Sequence, residues 1–445
     1  MKIYRFFMNS NVRSPDTSLA VLLIILFFSF MSCEDDGANA VGLNGIDTGA
    51  LAGNIKTDTL YVEDIARDTS FMDSVTTSKT DRLYLGSIDN YDFRIAMRFT
   101  MPAEIESVIV TSAKLQLVSA ASYGPPGTFT ANVRAIKKDW TIDDLKWNRL
   151  TGAGDNGDII TQATITNTPE SGTFITINMP RDTVQHWVWA INDTSRAKSN
   201  NGIIIEFSGA GFVQQFYGAN IVTALGSLDT NVVPRLDVAY QKFDPKTNQP
   251  NPGHLPIIPV SLSSGIYNQG FSGYIFQDRA PQATNTLTVG GGVTYHALMQ
   301  FSTTKIPTNA TINLATLIMK LDPTGNYQVS SGDSLLFQAL RVQSSDWNPG
   351  TLTPKSLDVL YIDPASRYRG RLTDNAKDDS LTFNITSQFQ DWTTFPSQNF
   401  GLRISHADEV LGNFRRLYRV RFINNPLDRE NSPKIIIYYT SPPEN

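Results

Sequence analysis

The sequence predicts an all-β protein made of two tandem jelly-roll-like β-sandwich domains, each with one short helix. Aromatic and β-branched residues are plentiful and long helical periodicities are scarce, which is typical of strands. Short segments that alternate apolar and polar residues, such as Lys114–Val118, are separated by turn-rich segments such as 123–127 and 322–326. Many short strands with little helix favour a sandwich.

An internal repeat divides the chain into two halves. Matching segments recur in the same order at a nearly constant offset, which indicates two copies of one domain. The matched pairs are 80–86 with 284–290, 96–99 with 298–301, 113–117 with 315–319, Trp140 with Trp347, Trp187 with Trp392, 202–205 with 401–404, and 234–238 with 433–437.

A proline-rich segment between the halves predicts a semi-rigid linker. Proline cannot donate a hydrogen bond to a β-ladder, and it stiffens the chain. The prolines are Pro245, Pro250, Pro252, Pro256 and Pro259. The expected boundaries are a first domain over 54–243, a linker over 244–256 and a second domain over 257–441.

One short helix is expected in each half. The segment 181–192 carries apolar residues at helical spacing, and Asp182 is its expected N-cap because a carboxylate can accept hydrogen bonds from the first helical turn. The corresponding helix of the second half is expected over 386–392.

Cys33, the only cysteine, predicts a lipid anchor. It closes the run 29–33, which follows a positively charged leader and the apolar stretch 19–28. This pattern resembles a bacterial lipobox, which implies cleavage before Cys33 and acylation of its thiol. The apolar stretch is shorter than the ~20 residues that a spanning helix needs. The alternative is an anchor helix with an ordinary buried cysteine. We therefore expect a signal peptide over 1–32 and a flexible acylated tether over 33–53.

The residues after the cysteine predict where the anchor resides. Glu34, Asp35 and Asp36 form an acidic run that resembles the export signal of surface lipoproteins in Bacteroidota. The resemblance implies an outer-membrane lipoprotein that faces the cell exterior, with the membrane as its first partner.

Charge and cysteine content exclude some classes of function. Residues 1–32 carry a net charge of +2, so the remaining chain has −5 − 2 = −7. A mildly acidic chain argues against general nucleic-acid binding. Without a second cysteine, no internal disulfide can form, so burial must stabilise the cores.

The order of motifs resembles the DNRLRE-type β-sandwich domains of secreted and surface bacterial proteins. Each half has a Leu-x-Leu-Gly or related segment, an Ala-x-Leu-x-Leu type strand, an Asp-Trp pair, a helix-borne tryptophan and a closing Pro-Arg/Lys-apolar strand. The family motif is kept in part as Asp81-Arg82-Leu83. Some relatives of these domains bind carbohydrate, so the resemblance implies architecture and a binding role rather than a catalytic residue.

Residue patterns of common enzymes and metal sites are missing from the sequence. The four histidines are scattered, and no Gly-x-Ser-x-Gly elbow or phosphate-binding Gly-rich loop is present. We therefore expect no catalytic residue, metal or cofactor. The loop 154–158 could offer oxygen ligands to calcium, but it lacks the spacing of a known calcium loop.

Aromatic residues are the first candidates for a ligand surface, because flat rings stack on sugars. Trp140, Trp187, Trp347 and Trp392 recur in both halves and are therefore assigned to the core. Trp147 and Trp189 have no counterpart in the second half, so they are the candidate ligand-binding tryptophans. A role at the edge of the core is the alternative for both.

Arginines are the second set of candidates. Alternation along 414–422 places Arg415, Arg419 and Arg421 on the face opposite the apolar residues, and 367–371 shows the same spacing. Guanidinium groups pair well with carboxylate or sulfate, so this face could bind an acidic polysaccharide. The alternative is a solvated face that prevents edge aggregation.

Together these features predict a lipid-anchored surface protein with a non-catalytic binding role, with glycan as the leading ligand. The alternative is a structural or assembly subunit of an outer-membrane surface complex that binds protein partners. An exposed aromatic platform would favour glycan, whereas a flat apolar patch would favour a protein partner.

Overall fold

The structure is a computed structural model of the 445-residue chain. It describes residues 55–72, 77–88, 90–168, 170–191, 200–209, 211–220, 229–244, 246–259, 271–279, 284–323, 335–343, 379–407 and 416–441, and the backbone of 362–372. These residues are mostly in antiparallel strands, so the all-β sandwich prediction is confirmed.

The strands that precede residue 260 are numbered in chain order. They are β1 Ile55–Leu60, β2 Ile65–Met72, β3 Arg82–Ile88, β4 Tyr91–Arg98, β5 Ile109–Tyr123, β6 Thr128–Ile136, β7 Asn156–Thr166, β8 Phe174–Met179, β9 Ile203–Ser208, β10 Val213–Tyr217, β11 Arg235–Phe243 and β12 Pro250–Ile257.

The numbering continues through the remaining strands. They are β13 Phe271–Asp278, β14 Thr286–Gly291, β15 Tyr295–Phe301, β16 Thr311–Lys320, β17 Leu335–Val342, β18 Ile362–Leu372, β19 Ser380–Asn384, β20 Leu402–His406, β21 Tyr418–Ile423 and β22 Lys434–Thr440.

Among the described residues, three α-helices accompany these strands: α1 Trp147–Leu150, α2 Arg181–Trp189 and α3 Thr386–Thr394. The helices α2 and α3 match the predicted pair, and the one-turn helix α1 is additional. The predicted N-cap is wrong, because Pro180 occupies that position and Asp182 lies inside the first turn.

In each half, the described strands form a four-stranded and a seven-stranded layer around an apolar core. In the first half, β12-β11-β5-β8 form the smaller sheet, and β10-β3-β4-β9-β6-β7 with β13 form the larger one. The long strand β5 joins these two into a continuous 11-stranded sheet, because it also pairs with β10. In the second half, β1-β22-β16-β19 and β21-β14-β15-β20-β17-β18 with β2 have the same pattern. Strand alternation fills the cores as predicted: Leu115 and Leu117 are buried, whereas Lys114 is exposed.

The two halves exchange their first strands. Strand β1 pairs with β22 and β2 pairs with β15, so the N-terminal arm 55–72 belongs to the sheets of the second half. Reciprocally, β12 pairs with β11 and β13 pairs with β4 in the first half. The predicted boundaries at 54–243 and 257–441 therefore need correction, because each half is completed by strands from both sides of its own sequence.

The predicted linker is also partly a strand. Residues 250–257 form β12, whose described partner is β11. Pro250, Pro252 and Pro256 are all even-numbered residues of this edge strand. Backbone N–H groups of alternate residues point to the same side of a strand, so all three missing donors fall on the side away from β11. The odd-numbered residues can then supply the ladder hydrogen bonds to β11, which is why a proline-rich segment can add to the sheet.

An aromatic cluster lies where the two halves meet. It contains Tyr84, Ile88, Tyr91, Phe93, Tyr123, Val213 and Tyr274 on the first-half sheet and Val293, Tyr295 and Leu417 from the second half. The Tyr274 hydroxyl donates a 2.6 Å hydrogen bond to the carbonyl of Gly292, and the Tyr295 hydroxyl donates one of 2.6 Å to Asp278. Burial raises the pKa of Tyr274 and of Tyr295, so both phenols stay neutral donors at neutral pH.

Candidate functional site

The tryptophans shared by the two halves are core residues, as predicted. Trp140, Trp187 and Trp392 are all buried. The indole N–H of Trp140 donates a 2.6 Å hydrogen bond to the carbonyl of Asn201. Trp347 lies outside the described residues.

Trp147 lies on α1 and is partly buried, in contact with the small cluster around Trp140. The guanidinium of Arg94 lies 4.4 Å from the centre of its ring. Glu206 fixes the position of the Arg94 side chain, because it forms an ion pair with Arg94 and a second one with Arg134 at 2.8 Å. One face of the ring is therefore covered within the protein and is not open for a sugar.

Trp189 is the more accessible of the two candidate tryptophans. It ends α2, is 45% exposed and lies 5.5 Å from the ring of His186. Helix α2 packs on β5 through Val184, Trp187 and Val188, whereas α1 packs against β13 of the larger sheet. The structure therefore places Trp147 and Trp189 on different sheets rather than in one site.

The predicted arginine face is only partly correct. Tyr418, Val420 and Phe422 enter the core, so the alternation is confirmed. Arg419, however, is only 4% exposed and lies 5.0 Å above the ring of Tyr91, which belongs to the other half. A buried cation between the two halves cannot form an open polysaccharide surface.

The other arginines do not complete a site. Arg421 is partly buried on β21, and Arg415 lies outside the described residues. The side chains of 367–371 also lie outside the described part, although their strand β18 is present.

A polar surface that the sequence analysis missed covers the outer side of the four-stranded sheet in the first half. We call it the first-half platform and define it by Lys114, Gln116, Phe174, Arg235, Asp237 and His254. These side chains alternate with core residues such as Leu115 and Leu236, so they point outward. Because the sheet register aligns them in adjacent rows, they form one continuous surface.

Contacts within the first-half platform hold its side chains in place. The Nε of Arg235 donates a 2.7 Å hydrogen bond to Oε1 of Gln116 and lies 3.7 Å from Asp237. The guanidinium of Arg235 lies 5.5 Å from the ring centre of Phe174, which is 51% exposed. Nε2 of His254 is 3.9 Å from Asp237. The platform thus combines an accessible ring with fixed donors and acceptors.

The equivalent surface of the second half is different. We call it the uncharged face and define it by Thr57, Leu314, Thr316, Ile318, Ile436 and Tyr438. The repeat aligns these residues with His254, Ser112, Lys114, Gln116, Asp237 and Ala239 in that order. Ser380 stands where the first half has Phe174. The same fold therefore presents two chemically different surfaces.

A signal for this difference is present in the sequence. The repeat aligns 234–238 with 433–437 and 113–117 with 315–319, and the outward positions change from Asp237 to Ile436 and from Gln116 to Ile318. Sorting repeat positions into core and outward ones would have located both surfaces.

Groups for metal binding are not assembled in the described part of the chain: it contains no cluster of three His, Cys, Asp or Glu residues. In the loop 154–158, Asp155 accepts a 2.8 Å hydrogen bond from the N–H of Gly152 and pairs with Lys138 at 2.9 Å. These contacts use Asp155 to stabilise the turn.

Comparison with known proteins does not add an activity. No family model and no curated protein matches the sequence. The resemblance to DNRLRE-type domains therefore stays a prediction from motifs. Within the described residues, no helix is long and apolar enough to cross a membrane.

Proposed function

We propose that this chain is a lipid-anchored outer-membrane surface protein that recognises glycan without catalysis, through the first-half platform. The observation that carries the proposal is the difference between two equivalent sheets. Only one of them combines an exposed aromatic ring, Phe174, with hydrogen-bonding side chains held by their neighbours. Flat sheet faces of this kind suit an extended sugar chain, because rings stack on pyranoses while donors and acceptors select hydroxyl patterns.

The charges of the first-half platform favour a glycan of low charge. Lys114 and Arg235 are cationic, but Asp237 lies between them in the register and pairs with Arg235. The acidic polysaccharide that Arg415, Arg419 and Arg421 suggested loses its main support, because Arg419 is buried between the halves.

A glycan screen on the protein from residue 54 onward tests the proposal. Phe174→Ser introduces the residue that the second half carries at the same position, so the fold should tolerate it. We expect Phe174→Ser to weaken binding about 10-fold or more, because aromatic stacking contributes on the order of 1 kcal/mol beyond the buried area. Phe395→Ala is the matched control, since Phe395 is an equally exposed phenylalanine in the second half.

Three results would contradict this assignment. Binding that Phe174→Ser leaves unchanged but Trp189→Ala abolishes would move the site to the end of α2. Salt-sensitive binding that Arg421→Ala removes would restore the acidic polysaccharide. An empty screen would replace glycan recognition with the alternative role, a subunit that assembles with protein partners.

The lipid anchor is tested separately by the mass of the purified protein. Cleavage before Cys33 and acylation of its thiol should give a chain that begins at Cys33 and carries a diacylglyceryl group. Cys33→Ser should release the protein from the membrane fraction, whereas retention of this variant would contradict the anchor.

A further inference from the structure

The uncharged face of the second half is built from three adjacent strands. Cross-strand neighbours align Thr57 with Tyr438 and Leu314, and Thr59 with Ile436 and Thr316. Their side chains are at least partly accessible, whereas the alternating residues Ile435, Ile437 and Leu317 are buried in the core. Four large apolar or aromatic side chains therefore lie together outside the core. Apolar residues scattered singly over a surface are common, but a contiguous group of them indicates an interaction site.

Charged residues border this face at one end, outside the six residues that define it. There, Lys320 pairs with Asp379 at 3.6 Å and Lys434 pairs with Glu430 at 3.3 Å. The first half shows that the fold does not require this, because Lys114 and Asp237 occupy the positions of Thr316 and Ile436. The uncharged face is thus a property of this copy and not of the fold.

The chain connects this face directly to the predicted anchor. Strand β1, which forms its edge, begins at Ile55, and the 21 residues 34–54 separate it from Cys33. Such a segment spans at most about 75 Å when fully extended. If this segment is the flexible tether that its composition predicts, its two ends lie about 25 Å apart on average. A face held this close to a surface meets it at an effective concentration on the order of millimolar, so a weak contact is sufficient.

The strand exchange decides which half is held near the anchor. Because the N-terminal arm 55–72 is part of the second-half sheets, the tether enters the second half first. Without the exchange, the tether would lead into the first half, and the first-half platform would be the surface nearest to the tether.

From these observations we propose that the uncharged face of the second half docks on the bilayer that holds the acyl chains of Cys33. This inference rests on the lipid anchor of the proposed function and extends it to the orientation of the folded protein. The tyrosine ring of Tyr438 suits the headgroup region, and Ile318, Ile436 and Leu314 suit the underlying boundary. The face offers no unpaired carboxylate among its described residues that anionic lipids would repel.

Site-specific labelling of the full-length, membrane-purified protein tests this docking. Tyr438→Cys and Ala239→Cys place one thiol at equivalent positions of the two halves, and Cys33 is the only other cysteine. Each variant carries an environment-sensitive fluorophore and is reconstituted in vesicles of phosphatidylethanolamine and phosphatidylglycerol with a nitroxide-labelled lipid. We expect at least 2-fold stronger quenching at position 438 than at 239. Ile436→Asp, which copies Asp237 of the first half, should reduce quenching at 438 to the level at 239.

The same sample separates failure of the anchor from failure of the docking. Mass spectrometry that shows an unacylated Cys33 would overturn both. An acylated protein with equal quenching at the two positions would overturn the docking alone, and photo-crosslinking from position 438 to another envelope protein would assign the face to a protein partner. Thr57→Cys and His254→Cys provide a second matched pair if Tyr438→Cys does not fold.

Discussion

The strand exchange predicts that a mutation in the N-terminal arm weakens the distant half of the sequence. Leu60 of β1 is fully buried in the core of the second half, opposite Ile435. Its repeat equivalent is Ile257 of β12, which is buried in the core of the first half opposite Leu236. Leu60→Ala should therefore act on the second half and Ile257→Ala on the first, against the order of the sequence.

The expected magnitude follows from burial. Truncation of a buried leucine or isoleucine to alanine costs about 2–5 kcal/mol, from lost transfer free energy and a residual cavity. We expect a value near 3 kcal/mol for Leu60→Ala, since β1 is an edge strand of its sheet. Under native conditions this corresponds to about 100-fold faster amide exchange in the strands that share its opening reaction.

Hydrogen exchange followed by mass spectrometry gives the readout. For Leu60→Ala, exchange should rise in β15 and β22 and stay nearly unchanged in β5 and β11. Ile257→Ala should show the opposite pattern and is the matched control. Faster exchange in β5 and β11 after Leu60→Ala would refute the strand exchange, because it would place the arm in the first half.

Three further predictions concern the contact between the halves and the backbone. Arg419→Ala should lower the free energy of unfolding by about 2 kcal/mol or more, since a desolvated cation over a ring is lost. Arg429→Ala, which removes an exposed arginine that lies over Tyr61, should lower it clearly less; equal effects in chemical denaturation would contradict the buried contact. Burial raises the pKa of Tyr91, Tyr274 and Tyr295, so these phenols should ionise in the unfolded chain before they ionise in the folded protein, and the free energy of unfolding should fall as pH rises above about 10. Tyr274→Phe should make this fall with pH less steep, and denaturation curves that do not change up to pH 11 would contradict the prediction. Gly401 has φ +96°, and a side chain there would collide with the carbonyl of Met299, whereas Gly154 has φ +88° and open space around it. Gly401→Ala should therefore destabilise the protein more than Gly154→Ala does, and a lower melting temperature for Gly154→Ala than for Gly401→Ala would contradict this packing.

Local patterns were sufficient to predict the all-β class, the repeat and the two matching helices. Alternation identifies core residues such as Leu115, and recurrence in both halves identifies Trp140 and Trp392 as core. These features depend on neighbours within one strand or on comparison of two copies, so the sequence contains the required information.

Long-range pairing was not accessible in the same way. Nothing in 55–72 reveals that β1 pairs with β22 rather than with β11, because the two partners have the same pattern of buried residues. The edge strand β12 escaped detection for another reason. Its prolines occupy alternate positions, which an edge strand tolerates but a central strand does not. This spacing indicates a strand only when the segment is already known to lie at the edge of a sheet.

The candidate binding surfaces were missed because outward residues were judged strand by strand. Arg419 faces away from its own core, as alternation predicts, but the second half packs that face against Tyr91. Conversely, Arg235, Asp237 and His254 come from two strands and become one surface only through the sheet register.

The most direct test of the account is a hydrogen-exchange footprint of a bound glycan. With a glycan that the screen identifies, we expect protection of β5, β8 and β11, which form the first-half platform, and no change in the equivalent strands β16, β19 and β22. Phe174→Ser should abolish that protection. Equal protection of both sets of strands, or protection confined to the end of α2, would contradict the claim that one of two equivalent sheets has become the recognition surface.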